Sequence, residues 1–304
     1  MLPASKSDRS ITLLVIVIAV LSFFSTSIAI FSKNGPGLYT YQSIRGQQVK
    51  IYGIGVYKHM SAEVAPQGIA QDYVTLLIAL PLLLLSYRRA KNSAVARFVF
   101  TGTLAYFLVT YFFYLCMGMY NALFLAYVAL AGCSFFAFLF SLEKTRQALA
   151  HCRFGIRTPF RAAGVFLIFN ACMIALLWLS IVIPPLLNGS IVPVQAEHYT
   201  TLIVQGVDLA ILLPGAFLSG MWLLKQEPRG LLIAPVYLIF LSLLMVALVA
   251  KIIAMGVLGY NIVPVVFIIP CFAITSIAFS VVLMKNLQIN IIEPVRKEGS
   301  LVGQ

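Results

Sequence analysis

Apolar residues run in eight long blocks separated by short polar segments. The blocks cover residues 11–31, 69–87, 98–119, 122–142, 162–183, 201–224, 231–255 and 262–284. A hydrocarbon core of about 30 Å takes about 20 apolar residues in a helix. Each block is close to that length, and none alternates as a transmembrane β-strand would. Without water to satisfy the backbone, the helix is the structure that remains. The pattern predicts an all-α integral membrane protein with eight transmembrane helices, forming a single domain over residues 1–304. The first block contains a small-x-small run, Ser27-Ile28-Ala29. It is nevertheless long for the apolar core of a signal peptide and is expected to stay as an anchor.

The polar punctuation repeats. Block 2 reads Asp72-Tyr73-Val74-Thr75 and then reaches Pro81, while block 6 reads Gln205-Gly206-Val207-Asp208 and then reaches Pro214. The two align on the proline without a gap. A basic segment follows each, Arg88-Arg89 in one and Lys225 to Arg229 in the other. The turn before block 4 holds Met117-Gly118 and Asn121, and the turn before block 8 holds Met255-Gly256 and Asn261. This order predicts two parallel four-helix repeats, at about 10–143 and 161–285, followed by a tail at 286–304. Parallel repeats about an axis along the membrane normal occur in transporters, which is an analogy and not a function.

Composition agrees with the pattern. The chain is 61% hydrophobic and 10% charged, against about 25% charged in an ordinary soluble domain. That excludes a soluble enzyme, a secreted module and a disordered chain. Sixteen of the 21 Lys and Arg residues fall in the segments that are inside if the N-terminus is inside, and four fall in the outer segments. The positive-inside rule then places both termini in the cytoplasm. The net charge of +12 follows from inner loops facing an anionic leaflet. It calls for a lipid bilayer and for no nucleic acid. The basic loop 143–161 is a solvated topogenic segment or a docking site for a protein partner. No outer loop carries a cysteine, so no disulfide is expected, and no span contains a histidine, so neither a metal nor another cofactor is expected.

The first outer loop is the long one. Its segments 38–44 and 48–57 alternate in part and flank Arg45-Gly46-Gln47, which predicts a small β-hairpin. Tyr39, Tyr41, Tyr52 and Tyr57 read as an aromatic belt at headgroup level or, alternatively, as a binding surface. The pattern Arg45-Gly46, Val49, Tyr52-Gly53, Gly55 and Tyr57 continues in Gln71-Asp72, Thr75-Leu76 and Pro81-Leu82-Leu83. It resembles a loose group of uncharacterised bacterial multi-pass membrane proteins, best over residues 38–130 and block 6. The resemblance implies a bacterial inner-membrane location and brings no activity, cofactor or site residues.

Three ionisable residues lie within the blocks: Asp72, Asp208 and Lys251. Such residues are costly and are functional candidates by default. At 1.5 Å per residue, Asp208 lies roughly 10 Å, and Lys251 roughly 6–8 Å, below the outer end of its helix. Two readings stand. Asp208 and Lys251 form an ion pair locking block 6 to block 7, and Asp72 caps the start of block 2. Alternatively, Gln71, Asp72, Thr75, Gln205, Asp208 and Lys251 line an outward-facing polar pocket roofed by His59, Glu197 and His198. Trp178 reads as a core or lipid-facing residue. The nucleotide, zinc-protease and nucleophile-elbow motifs are all missing, so no catalytic residue is assigned. The sequence points first to a non-catalytic sensor, assembly or scaffold protein. The alternatives are a transporter or permease subunit for a small solute or lipid-type molecule, and a membrane-embedded enzyme acting on a lipid or quinone.

Overall fold

The structure is a computed structural model that describes residues 6–289. Eight helices in it are long and apolar enough to cross a membrane: α1 (Lys6–Phe31), α2 (Val64–Ala90), α3 (Ala94–Met117), α4 (Phe124–Leu149), α5 (Phe160–Leu187), α6 (Ile203–Leu224), α7 (Pro228–Val257) and α8 (Val265–Lys285). They correspond one to one with the eight apolar blocks. Among the differences at helix starts, α2 begins at Val64, five residues before the predicted residue 69. Polar side chains there are satisfied locally: the Ser61 hydroxyl accepts from the Val64 amide at 3.3 Å.

The most enclosed helices are α3 and α7, which pack against each other at the centre. Each then packs on its neighbours, α3 on α2 and α4, and α7 on α6 and α8. The first part of α2 also packs on α7. Gly102 sets the closest approach of the central pair: a Cβ there would stand 2.6 Å from the Ile239 side chain. A small residue at a helix crossing allows the two backbones to come this close. The outer helices present apolar side chains outward, among them Leu125, Leu176 and Phe267.

Both α2 and α6 are interrupted by a π turn, Thr75–Ala79 in one and Asp208–Leu212 in the other. Each turn ends one residue short of the sequence Leu80-Pro81 or Leu213-Pro214. The cause is local. Proline has no N–H, and its ring clashes with the carbonyl four residues earlier. The ladder opens by one residue, so Leu80 N–H bonds the Thr75 carbonyl and Leu213 N–H bonds the Asp208 carbonyl. The π turns therefore fall on the two polar stripes.

Two small antiparallel sheets sit at opposite ends of the bundle. At one end β1 (Tyr39–Gln42) pairs with β2 (Gln48–Ile51), Tyr39 opposite Ile51, which is the predicted hairpin. At the other end β3 (Cys152–Phe154) pairs with β4 (Leu287–Ile289). The start of the expected tail at 286–304 thus forms a strand; the rest of the tail lies outside the described residues. Arg97 fixes the same end. Its guanidinium donates to the Ala90 carbonyl at 2.8 and 3.1 Å and to the Lys144 carbonyl at 3.4 Å, tying α2 to α4.

Candidate functional site

The polar stripe of α2 is buried. Gln71, Asp72 and Thr75 are each at most 3% exposed. Asp72 is not a cap, because it lies two turns inside α2 (Val64–Ala90). Its carboxylate is held by two phenols: Tyr57 donates to Oδ2 at 2.5 Å, and the Tyr114 hydroxyl lies 3.1 Å from Oδ1 and from the Gly68 carbonyl. Gln71 donates to the Tyr106 hydroxyl at 2.6 Å, and Thr75 meets that hydroxyl at 2.9 Å. Charge-assisted bonds of this kind are about twice as strong as neutral ones, which explains how a carboxylate is tolerated here.

Tyr57 does not face outward as a belt residue would. It is 4% exposed and packs with Ala29, Met60 and Ala65. Burial first, and then the Asp72 charge, push its phenol well above the ordinary tyrosine range, so it stays a donor. Behind it stands a group of stacked rings. Tyr114 meets Tyr127 at 5.4 Å between centroids, and Tyr111 stacks on Tyr127 at 6.2 Å. The hydroxyls of Tyr111 and Tyr127 are buried and have no hydrogen-bond partner. Buried polar atoms are nearly always satisfied, so these two are exceptions.

The stripe of α6 is more open. Gln205 and Asp208 are half-buried. The Asp208 carboxylate accepts from the indole N–H of Trp178 on α5 at 2.8 Å. Close by, Tyr237 of α7 donates to the Leu212 carbonyl at the end of the π turn, at 2.8 Å. Asp208 and Lys251 make no direct ion pair, which overturns the expected lock between α6 and α7. The reason is geometric: Asp208 is turned toward α5, where Trp178 satisfies it. Lys251 is half-buried and makes no hydrogen bond or ion pair among the described residues. Its charge is felt by both Asp72 and Asp208. Lys251 is thus the common electrostatic neighbour of two carboxylates on different helices, and it touches neither.

The roof residues do meet, at the hairpin end. His198 Nε2 lies 2.9 Å from the His59 carbonyl. Arg45, in the hairpin turn, donates to the carbonyls of Glu197, Tyr199 and Thr200 at 3.2, 2.8 and 3.0 Å. Glu63 and Glu197 repel across this layer. Burial first, and then the Glu197 charge, raise the Glu63 carboxyl above its ordinary value. Neither His59 nor His198 bonds Asp72 or Asp208, so no acid–base dyad forms.

A cavity of about 290 Å³ opens at the hairpin end between α1, α2 and the loop that joins them. Its walls are not the six residues expected from the sequence. They include Lys33, Tyr52 and Tyr57 with Ile30, Ile54 and Ile69. It reaches the predicted stripe only through Tyr57, whose hydroxyl bonds Asp72.

Sequence reasoning found the three charges and the roof, but missed Trp178, Tyr106, Tyr111 and Tyr114. A partial signal for the tyrosines exists: Tyr111 and Tyr114 lie three apart on one face of α3, with Tyr106 five residues earlier. Trp178 carries no such signal, because only the tertiary fold brings it to Asp208. Among the described residues, no group of three or more His, Cys, Asp or Glu side chains is placed to hold a metal. No protein-family model, no curated protein and no solved structure matches this chain.

Proposed function

We propose that this chain is a multi-pass protein of a bacterial inner membrane, with both termini cytoplasmic, built from two parallel four-helix repeats that move a small polar solute. The observation that carries the reading is Lys251, an amine bonded to neither Asp72 nor Asp208 although both carboxylates bear on its charge. Even a half-buried charge without a contacting partner is unfavourable in an apolar bundle. A purely structural charge cluster would close into contact. Here each carboxylate is satisfied by neutral donors, and the amine is left available to a ligand.

The in-register π turns support the same reading. Interrupted helices beside midplane polar groups are a recurring device of transporters, and π turns concentrate at functional sites. The pairing of Tyr106 with the α2 stripe and of Tyr237 with the α6 π turn repeats from one half to the other. The test is uptake into proteoliposomes of labelled amino acids, organic cations and carboxylates. At least one solute is expected to accumulate above protein-free vesicles. Asp208→Asn and Lys251→Met are expected to abolish that uptake at unchanged folded yield. No uptake of any solute, or equal uptake by both variants, overturns the reading.

A second reading, a non-catalytic sensor or scaffold, is favoured by the clamped layer at the hairpin end and by the basic loop 143–161. It predicts a partner protein that co-purifies in mild detergent and is lost when the basic residues of that loop are neutralised. Orientation is tested separately. Cysteines placed at Gly46 and Ser190 are expected to react with an impermeant thiol reagent from outside, and those at Lys91 and Ala150 are not.

A further inference from the structure

At the end opposite the hairpin, a cavity of about 40 Å³ opens among α1, α2, α3 and α4. Among the described residues, its walls carry cationic side chains and no carboxylate. Lys91, just past the end of α2, and Arg97, early in α3, reach it from two different elements, and Lys144 of α4 lies in the wall. The other polar walls are tied down. The Tyr87 hydroxyl lies 2.6 Å from Thr12 Oγ1 on α1, and its ring packs on Phe100 at 5.4 Å between centroids. Ser141 Oγ lies 2.6 Å from Thr101 Oγ1. A preformed site loses little to ordering when it binds.

Arg97 is held in place with donors to spare. The carbonyl end of α2 is the negative end of its dipole and would oppose an anion. Arg97 covers it: Nε and Nη2 donate to the Ala90 carbonyl at 3.1 and 2.8 Å, and Nη1 donates to the Lys144 carbonyl at 3.4 Å. These bonds use three of the five guanidinium N–H groups, so two remain for a ligand. A planar guanidinium fixed in this way matches the oxygens of a phosphate. Lys91 is exposed and makes no hydrogen bond or ion pair among the described residues. The carboxylate next to Lys144 in sequence, Glu143, is already taken: Arg146 donates to its two oxygens at 2.7 and 2.8 Å.

The volume selects the size of the ligand. About 40 Å³ exceeds the about 10–15 Å³ that one water needs. It falls far below the about 300–1,000 Å³ of a pocket that encloses a whole solute. It suits one compact oxyanion whose remainder stays outside. From this end α1 and α2 run on into the bundle with exposed apolar side chains, Ile16 and Leu84 among them, a surface that takes acyl chains. We propose that this cavity holds the phosphate of an anionic phospholipid headgroup, between the two remaining N–H groups of Arg97 and the ammonium of Lys91. A choline lipid brings the same phosphate with a second cation, which Lys91 repels. A free phosphate brings the oxyanion and leaves the apolar surface uncovered. The inference goes beyond solute transport and does not depend on it.

The test is native mass spectrometry of the full chain in detergent, titrated with phosphatidylglycerol and with phosphatidylcholine of the same acyl chains. Phosphatidylglycerol is expected to bind about fivefold or more tighter, the scale of one lysine beside an anionic headgroup. Lys91→Gln, at an exposed position, is expected to erase most of that preference while phosphatidylcholine binding stays. Arg97→Lys keeps the charge and loses the planar fork; it is expected to weaken phosphatidylglycerol about tenfold, the scale of one hydrogen bond to a charged group. Should Arg97→Lys fail to fold, Lys91→Gln decides. Arg157→Gln removes an exposed charge at the same end, outside the cavity, and is expected to change nothing. Equal binding of the two lipids overturns the proposal. So does a preference unchanged by Lys91→Gln, or one lowered as far by Arg157→Gln, which would show general attraction to a basic surface. Displacement of phosphatidylglycerol by millimolar inorganic phosphate at constant ionic strength would assign the cavity to free phosphate and overturn the lipid.

Discussion

Replacing Lys251 by Met separates a charge held open for a ligand from a charge that holds the fold together. Removing one partner from a contacting buried ion pair costs about 3–5 kcal/mol. Lys251 makes no such contact. At an effective dielectric of about 20, two unit charges about 4 Å apart attract by roughly 4 kcal/mol. Lys251 stands beyond that distance from both carboxylates, so each supplies less of this attraction. Against it stands the desolvation of the amine, several kcal/mol for a buried ion and less here because Lys251 is half-buried. The two terms nearly cancel, and Met fills the same space without a charge. Lys251→Met is therefore expected to unfold within about 2 kcal/mol of the wild type, in either direction, a few degrees in melting temperature for a chain of this size. The assay is thermal unfolding in detergent, read by fluorescence-detected size exclusion. A loss of about 3 kcal/mol or more, recovered in the Lys251→Met/Asp208→Asn double variant, would show a structural pair and refute the reasoning.

Three further outcomes are expected. Trp178→Phe removes the indole donor from Asp208 and should cost about 1.5–3 kcal/mol in thermal unfolding, shrinking when Asp208 is already Asn. Gly102→Leu forces a side chain into Ile239; it should destabilise by at least about 1–3 kcal/mol, the usual cost of overpacking, and a neutral result would mean the central helices separate freely. Glu63 has a raised carboxyl pKa in the fold, so its contribution is fully present below the ordinary value of 4.5 and is lost as pH rises through the folded value. Glu63→Gln should accordingly raise the melting temperature at pH 7 and leave it unchanged at pH values well below 4.5; a shift that is the same at both pH values would count against the repulsion from Glu197.

The spans were legible because bilayer thickness sets their length, and the hairpin because its strands are adjacent in sequence. The polar stripes were legible too: the prolines that align them are also the residues that open the π turns. What stayed hidden is non-local. Asp208 and Lys251 sit at similar depths, which suggested contact, but depth along a helix does not fix the direction in which a side chain turns. Asp208 turns to Trp178, thirty positions earlier. Asp72 looked like a cap because the apolar block was taken to start at residue 69. The helix starts earlier, since its first turns carry small and polar residues, Ala65, Gln67 and Gly68 among them, that hydropathy alone does not count. The β3–β4 pairing escaped for the same reason: two three-residue strands that lie more than a hundred positions apart leave no periodic trace.

That pairing bears on how the chain is made. β3 is synthesised before any helix of the second half, and its partner β4 emerges only after α8 is complete. Until then the backbone groups of residues 152–154 that face the partner are open. Their closure is one of the last hydrogen-bonding events available to the described chain, made when all eight helices exist. A chain stopped short of residue 287 would keep that edge exposed, and unpaired edges are what proteases and aggregating neighbours recognise. The small sheet therefore closes only after all eight helices have been made. A fusion that must preserve it belongs beyond residue 289, not directly after Lys285.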